Sequence, residues 1–336
     1  MRTKMKIVLT AAVSLFSLAA QNKQGKEFPQ PAPPKDYTVS AIPGVIEAGA
    51  KWTKVWQGDA TADGIVGTGD GGLLFAQEQT NQIGKLDKNG KFSVYLTTAH
   101  GPGALSFGPK GRLLAVERSC TDPGGHLGVK PEDCKEPTDV AALTPARKII
   151  ADNFQGKSLG RVNDLVADKK GGAYFTSGPG AFYVNASGQV MSIGENLRTN
   201  GIILSPDEKV LYITNGGSVA AFDVQPDGSV KNQREFAKLP PGGGGDGMAV
   251  DSAGRLYVTT PSLYAIQVFS PEGKALGSIP TPRTPITLAF SGPGKKTLYI
   301  GSMGETLSNG QEFKTPPRGA QHGHDDLYDP DDCAGI

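Results

Sequence analysis

The sequence predicts an all-β fold, a six-bladed β-propeller, because one pattern recurs six times. Each copy has a small or polar residue, a short apolar run, a turn rich in Gly, Pro, Asp and Lys, and an aliphatic or aromatic strand. The copies open at Asp63, Gly103, Asn163, Asn200, Asp246 and Thr287, a nearly constant spacing apart from the longer step between the second and third. Strand-turn-strand units that return about every 40 residues are typical of propeller blades.

The composition agrees with this fold class and narrows the range of partners. The chain has 336 residues, with 46 Gly, 25 Pro and 20% charged residues. This suits one large, turn-rich β domain and disfavours a helical protein. The net charge of +1 and the absence of a polybasic run argue against nucleic acid as a partner. We expect a monomer that binds a small molecule.

The N-terminal residues have the pattern of an export signal. Arg2, Lys4 and Lys6 precede an apolar stretch over residues 7–20 that ends in small residues and is too short for a transmembrane helix. The expected organisation is a cleaved signal peptide (1–20), a flexible Pro-rich lead-in (21–40), the propeller (41–303) and an irregular tail (304–336). Cleavage would leave a periplasmic or secreted protein without a membrane anchor; a retained, uncleaved anchor is the alternative.

Two further segments have predicted roles. Residues 36–60 are expected to supply outer strands that close the ring with the last blade, because a propeller leaves few exposed edges. The long step between Gly103 and Asn163 contains a loop between Cys120 and Cys134. In an oxidising compartment these two cysteines are candidates for a disulfide, with Cys333 left over, and free thiols are the alternative.

Four of the six opening residues carry oxygen-bearing side chains that the propeller would bring together at its axis: Asp63, Asn163, Asn200 and Asp246. Carboxylate and amide oxygens are ligands for hard divalent cations, so we predict one bound ion, with Ca²⁺ preferred over Mg²⁺, Mn²⁺ and Zn²⁺. The alternative is that Asn-Gly, Asp-Gly and Asn-Asp are ordinary turn dipeptides that cap a strand. Equivalent positions in four repeats favour the metal site.

Arg161 is the second candidate for the site. It lies two residues before Asn163, so both side chains face the same side of an extended segment. An Arg beside a metal site can bind a polar or anionic oxygen of a substrate. An ordinary surface Arg is the alternative.

Three stretches resemble the gluconolactonase/regucalcin (senescence marker protein) family of six-bladed propellers, to which luciferin-regenerating enzyme is also related. They are ADNFQGKSLGRVNDLVADKKGGAYFT, LRTNGIILSPDEKVLYIT and GGGGDGMAVDSAGRLYVTT, and the resemblance runs from about residue 60 to 300. It implies a central divalent ion held by Asn200 and Asp246, and substrate contacts from Arg161 and Asn163, with Asn163 also a metal ligand in some members. Asp63 stands where the family has a Glu, and Thr287 stands where many members have an Asn.

The first functional hypothesis is therefore an exported, metal-dependent hydrolase of sugar lactones or related cyclic esters. In it Asp246 accepts a proton from the attacking water, and Arg161 and Asn163 orient the substrate. The alternative is a non-catalytic propeller that binds a ligand or partner and whose axial ion is structural. A strictosidine-synthase-like or paraoxonase-like propeller is a third possibility, with a different class of substrate.

Overall fold

The computed structural model describes residues 34–58, 62–118, 138–178 and 180–303 and the short strands at 307–308, 311–312 and 326–331. In this part of the chain the regular structure is β-strand, apart from short 3₁₀ turns at Glu78–Thr80, Pro109–Gly111, Pro261–Leu263 and Pro293–Lys295. The fold is an all-β propeller, which confirms the predicted class. None of the described residues belongs to a helix with the length and apolar character needed to cross a membrane.

The strands are short, as expected for a chain with a turn every few residues. In chain order they are β1 (Lys51–Gln57), β2 (Asp63–Gly67), β3 (Leu73–Gln77), β4 (Gln82–Leu86), β5 (Phe92–Leu96), β6 (Pro102–Phe107), β7 (Leu113–Glu117), β8 (Asp139–Ala142), β9 (Lys148–Ala151), β10 (Asn153–Phe154), β11 (Lys157–Ser158), β12 (Val162–Ala167), β13 (Ala173–Ser177), β14 (Gly180–Val184), β15 (Val190–Ile193), β16 (Thr199–Leu204), β17 (Val210–Asn215), β18 (Ser218–Val224), β19 (Val230–Lys238), β20 (Met248–Val250), β21 (Leu256–Thr260), β22 (Ala265–Phe269), β23 (Ala275–Pro280), β24 (Thr284–Ser291), β25 (Thr297–Met303), β26 (Leu307–Ser308), β27 (Gln311–Glu312) and β28 (Asp326–Asp331).

Five four-stranded sheets use strands that follow one another along the chain. We number them sheet 1 (β2 to β5), sheet 2 (β6 to β9), sheet 3 (β12 to β15), sheet 4 (β16 to β19) and sheet 5 (β20 to β23). The first strand of each sheet contacts the first strand of the next, and β24 completes the circle between β20 and β2. The opening residues of the sequence repeat lie in or next to these inner strands, so the repeat positions do converge on one axis.

A further sheet, the closing sheet, combines distant parts of the chain in the order β1-β28-β25-β24. Lys51 of β1 pairs with Asp331 of β28, and Tyr328 of β28 pairs with Ile300 of β25. The expectation that residues 36–60 supply an outer strand is confirmed for β1. The tail, by contrast, is not irregular throughout, because β28 lies in it. Its sequence DLYDPD is rich in Asp and contains Pro, residues that are depleted in strands, so its composition conceals the strand.

The end of the predicted flexible lead-in is packed in place. Val39 is buried in an apolar cluster with Ile42 and Trp52. The hydroxyl of Tyr37 accepts a hydrogen bond of 2.7 Å from the backbone N–H of Trp52. Apolar side chains at these positions gain stability from burial, which overrides the Pro-rich composition. The structured part of the chain therefore starts before the boundary predicted at residue 40.

The core consists of apolar layers between neighbouring sheets. The layer between sheets 2 and 3, for example, packs Leu114 and Val140 against Phe175 and Phe182. Middle strands such as β3, β13 and β22 are buried along their whole length. A strand that is covered on both faces reads as a continuous apolar run, which explains the aliphatic segments of the repeat.

Several opening residues are followed by a glycine, and the reason is steric. A Cβ on Gly64 would lie 2.2 Å from the Cα of Ala104 in sheet 2, and a Cβ on Gly201 would lie 2.2 Å from the backbone oxygen of Asp246. Neighbouring inner strands approach too closely at the axis for any side chain there. The pairs Asp63-Gly64 and Asn200-Gly201 are therefore inner-strand features, and for them the interpretation as ordinary turn dipeptides is wrong.

Candidate active site at the propeller axis

The inner strands enclose a cavity of about 170 Å³, which we call the axial site. It contains all five residues predicted to carry the site, together with three charged residues that were not predicted. The charged and amide side chains that line it are Asp63, Glu78, Arg118, Arg161, Asn163, Asp164, Asn200 and Asp246. Thr287, the opening residue of the last repeat, lines it as well. The structure thus brings the predicted residues together, while their roles remain predictions.

Glu78 and Arg118 were missed by the sequence analysis. Each is the first residue after the second strand of its sheet, β3 in sheet 1 and β7 in sheet 2. The signal was present in the sequence, because the apolar runs LLFAQE and LLAVER both end on a long charged side chain. A charged residue that ends a buried strand must find a partner inside the protein, so it points to a polar site.

Asp164 is the third charged residue that was not predicted. Its Oδ1 accepts a hydrogen bond from the backbone N–H of Leu165 at 2.8 Å, and its Oδ2 accepts one from the N–H of Ile202 at 3.1 Å. Burial raises the pKa of Asp164 to about 7, although the two backbone hydrogen bonds oppose this shift. Since Ile202 lies in β16, the carboxyl group joins the inner strands of sheets 3 and 4, and this contact gives it a structural role.

Arg118 is the most connected side chain of the axial site. Its side chain is only 6% exposed. Its Nη1 donates to Asp63 Oδ2 at 2.9 Å and to Glu78 Oε2 at 3.1 Å. Its Nε donates to the backbone oxygen of Val162 at 3.0 Å, and its Nη2 donates to Asn163 Oδ1 at 2.9 Å and also to the Asn163 backbone oxygen. Burial alone would lower the pKa of Arg118, but the Glu78 and Asp63 carboxylates raise it, so the guanidinium is a fixed positive charge.

The space for this guanidinium comes from Gly103, the opening residue of the second repeat. A Cβ on Gly103 would lie 1.9 Å from Arg118 Nε and 2.0 Å from its Cζ. Any other residue would overlap the guanidinium. Where other repeats place an Asp or Asn at the axis, sheet 2 places no side chain, and Arg118 fills the space.

Glu78 lies between two arginines. Its side chain is 2% exposed, and its oxygens contact Arg118 Nη1 and, at 3.1 and 3.2 Å, the two terminal nitrogens of Arg161. Burial raises the pKa of Glu78 above its ordinary value, while the two guanidinium groups oppose this shift. Arg161 is 37% exposed, so it connects the buried network to the opening of the cavity.

The opposite side of the axial site carries two amides and a carboxyl group. Asn163 Nδ2 donates a hydrogen bond to Asn200 Oδ1. Burial raises the pKa of Asp246 well above its ordinary value, and the nearby Asp63 and Asp164 raise it further, whereas Arg118 and a hydrogen bond from Asn200 oppose this. A carboxyl group with a raised pKa is a stronger base once it is deprotonated, as a group that accepts a proton from water requires.

A second cavity of about 520 Å³ adjoins the axial site and shares Arg161, Asn163 and Asn200 with it. Arg198 also lines it, as do Gly244 and Gly245 of the glycine run. The shared residues give the axial site an entrance with two arginines on its wall. An entrance of this kind favours polar or anionic small molecules.

The hydrogen bonds of the predicted ligands test whether a divalent ion fits the axial site. Of the four predicted ligands, Asp63 and Asn163 already accept hydrogen bonds from Arg118, and Asn200 accepts one from Asn163. Among the described residues no group of three or more His, Cys, Asp or Glu side chains is placed to hold a metal ion. The buried guanidinium of Arg118 would also repel a divalent cation bound to the same oxygen atoms. The residues in this arrangement therefore do not fit the ion.

Three predictions concern residues outside the described part of the chain. These are the signal peptide at 1–20, the disulfide between Cys120 and Cys134, and the unpaired Cys333. They stay predictions.

Known lactone-hydrolysing proteins resemble this chain in sequence. Residues 138–304 match the family model described as "SMP-30/Gluconolactonase/LRE-like region". The predicted resemblance is confirmed. A gluconolactonase from Zymomonas mobilis is 26% identical over 260 residues, which cover 68% of this chain and 72% of that protein.

Solved structures agree on the fold. A gluconolactonase from Xanthomonas campestris superposes with a TM-score of 0.67 at 19% identity, covering 90% of this chain and 96% of that one. Regucalcin from Agrobacterium tumefaciens, described as a calcium-binding protein, superposes with a TM-score of 0.61 at 14% identity, covering 81% and 90%. Both are similar to this chain over nearly the whole propeller, and at these identities the likeness concerns the fold.

Proposed function

We propose that this protein is an exported hydrolase of small polar lactones, acting at the axial site. One observation carries the proposal: a single cavity of about 170 Å³ is lined by a carboxyl group of raised pKa, Asp246, and by the donors Arg161 and Asn163. The similarity to gluconolactonases gives the class of substrate. Export rests on the basic and apolar pattern of residues 1–20.

The proposed reaction uses residues that line the axial site and its entrance. Asp246 accepts a proton as water attacks the lactone carbonyl carbon, and Arg161 donates hydrogen bonds to the oxygen that becomes negatively charged. The bond between the carbonyl carbon and the ring oxygen then breaks. The ring oxygen takes the proton back from Asp246, and the product is the open-chain hydroxy acid. Asn163 and Arg198 hold substrate hydroxyl groups at the entrance.

The number of blades is part of the same proposal. We propose that sheets 1 to 5 and the closing sheet are six blades of one ring. The closed circle of contacts among their inner strands supports this. A complete ring is what brings the opening residues of all six repeats to one axis.

The test is hydrolysis of a panel of aldonolactones by the wild type and by Asp246→Asn. Continuous titration in a pH-stat measures the acid released. We expect turnover in the wild type and a loss of roughly 10²- to 10⁴-fold in the variant, the range for removal of a general base. Asp207→Asn is the matched control, because Asp207 is 57% exposed in a turn away from the axis.

Two results would count against the enzyme. If the wild type opens no lactone of the panel, or if Asp246→Asn is as active as the wild type, the proposed reaction is wrong. Saturable binding of a lactone without turnover would favour the non-catalytic propeller instead.

A further inference from the structure

We propose that the guanidinium of Arg118 is the resident cation of the axial site, and that it takes the oxygens predicted to bind a divalent ion. The inference rests on the axial site of the proposed function but not on its substrate. In this protein a charged side chain takes the place of a metal ion bound from solution.

The first argument is the use of the oxygen atoms. Arg118 donates to Asp63 Oδ2, to Asn163 Oδ1 and to Glu78 Oε2, all within 3.1 Å. A metal ion would compete with the guanidinium for the same oxygen atoms. Since a guanidinium has five donors in a fixed plane and no acceptor, it can satisfy several oxygen atoms of different strands at once.

The second argument is that the surrounding backbone fits a guanidinium. The carbonyl oxygen of Val162 accepts from Arg118 Nε at 3.0 Å, and Gly103 leaves the space in which the group lies. A carbonyl oxygen in sheet 3, a glycine in sheet 2 and carboxylates of sheet 1 thus converge on one side chain. Such a set of contacts indicates a permanent position rather than a passing rotamer.

The third argument is the balance of charge. The carboxylates of Asp63 and Glu78 face the guanidinium groups of Arg118 and Arg161. Of these groups Glu78 and Arg118, whose side chains are 2% and 6% exposed, compensate one another out of contact with water. A divalent ion added beside Arg118 would be repelled by the guanidinium, and little water is present there to screen the repulsion.

The experiment measures metal binding to the full-length protein after treatment with chelator, by isothermal titration with Ca²⁺ and with Mn²⁺ and by elemental analysis after dialysis. We expect no stoichiometric ion in the wild type. Arg118→Ala should gain one saturable site, at least tenfold tighter than any binding to the wild type, because it frees the oxygens of Asp63, Glu78 and Asn163. Arg118→Lys, which keeps a charge, should not gain it.

The matched control is Arg234→Ala, which removes a surface arginine paired with Asp223 and should bind no ion. One ion per wild-type protein, lost in Asp63→Asn, would overturn the inference. So would an Arg118→Ala variant that folds and binds no ion.

If Arg118→Ala does not fold, the melting temperature of the wild type still tests the inference. A melting temperature that neither chelator nor Ca²⁺ changes supports the inference, and one that Ca²⁺ raises in the wild type but not in Asp63→Asn overturns it. These readouts are independent of turnover. A protein that is inactive on lactones and free of metal would therefore contradict the proposed function and leave this inference intact.

Discussion

The two sides of the axial site differ in how far their charges are already satisfied. On the side of sheets 1 and 2, the side chains of Glu78 and Arg118 are 2% and 6% exposed and contact each other. On the side of sheets 3 to 5, Arg161 is 37% exposed, and Asn163 and Asn200 line both the axial site and its entrance. The first side is a closed network, and the second is open to a small molecule.

The difference arises at one position of the repeat, the residue after the second strand. In sheets 1 and 2 it is Glu78 or Arg118, whose long side chain turns into the axis. In sheets 3 and 4 it is Gly178 or Gly216, whose N–H donates to the backbone oxygen of an arginine, Arg161 or Arg198. The arginines of sheets 3 and 4 therefore lie at the entrance, and Arg161 lines the axial site as well. One repeat thus supplies both a rigid support and a binding surface.

The largest loss of stability should come from Glu78→Gln, which removes a charge from the closed network. Arg118 and Arg161 would lose the carboxylate they share, and removal of one partner of a buried ion pair costs about 3–5 kcal/mol of the free energy of unfolding. Urea denaturation measures it. The control is Glu235→Gln on the exposed strand β19, whose effect should stay within about 0.5 kcal/mol. Equal stability of the two variants would contradict a closed network.

A smaller effect is expected from Gly103→Ala. The added methyl group would displace the Arg118 guanidinium from its acceptors, and overpacking of this kind costs about 1–3 kcal/mol of the free energy of unfolding. Gly69→Ala is the control, because a Cβ there has nothing within 4 Å. Denaturation of both variants gives the comparison. A neutral Gly103→Ala would mean that the guanidinium moves aside at little cost.

The smallest effect on stability should come from the open side, with Arg161→Met. Arg118 still compensates Glu78, and Arg161 is 37% exposed, so water screens its ion pair with Glu78 and the loss should be about 1 kcal/mol. Activity should fall instead: loss of a charged hydrogen bond to substrate corresponds to roughly 10- to 100-fold in kcat/KM. Arg234→Met, which removes a surface ion pair with Asp223, is the control for both measurements. A variant that is fully active but unstable would place Arg161 with the closed side.

The sequence alone predicted the propeller, the residues of the open side and Asp63, but not Glu78 and Arg118 of the closed side. Asp63, Asn163, Asn200 and Asp246 were found because they recur at one position of a repeat. Glu78 and Arg118 recur as well, but with opposite charge, so they do not look alike in the sequence. At Gly103 the repeat has no side chain to interpret, and only the structure shows that an arginine from the end of the next strand fills the space.

The closing sheet has a consequence for synthesis. Its strand β28 spans Asp326–Asp331, whereas its partner β1 spans Lys51–Gln57. A ribosome has therefore made all of sheets 1 to 5 before the strand that lies between β1 and β25 exists. Until then the edges of β1 and β25 stay unpaired, which favours association with other chains. The closing sheet is complete only after translation has passed β28, so premature termination shortly before this strand would leave two unpaired strand edges and a protein prone to aggregation.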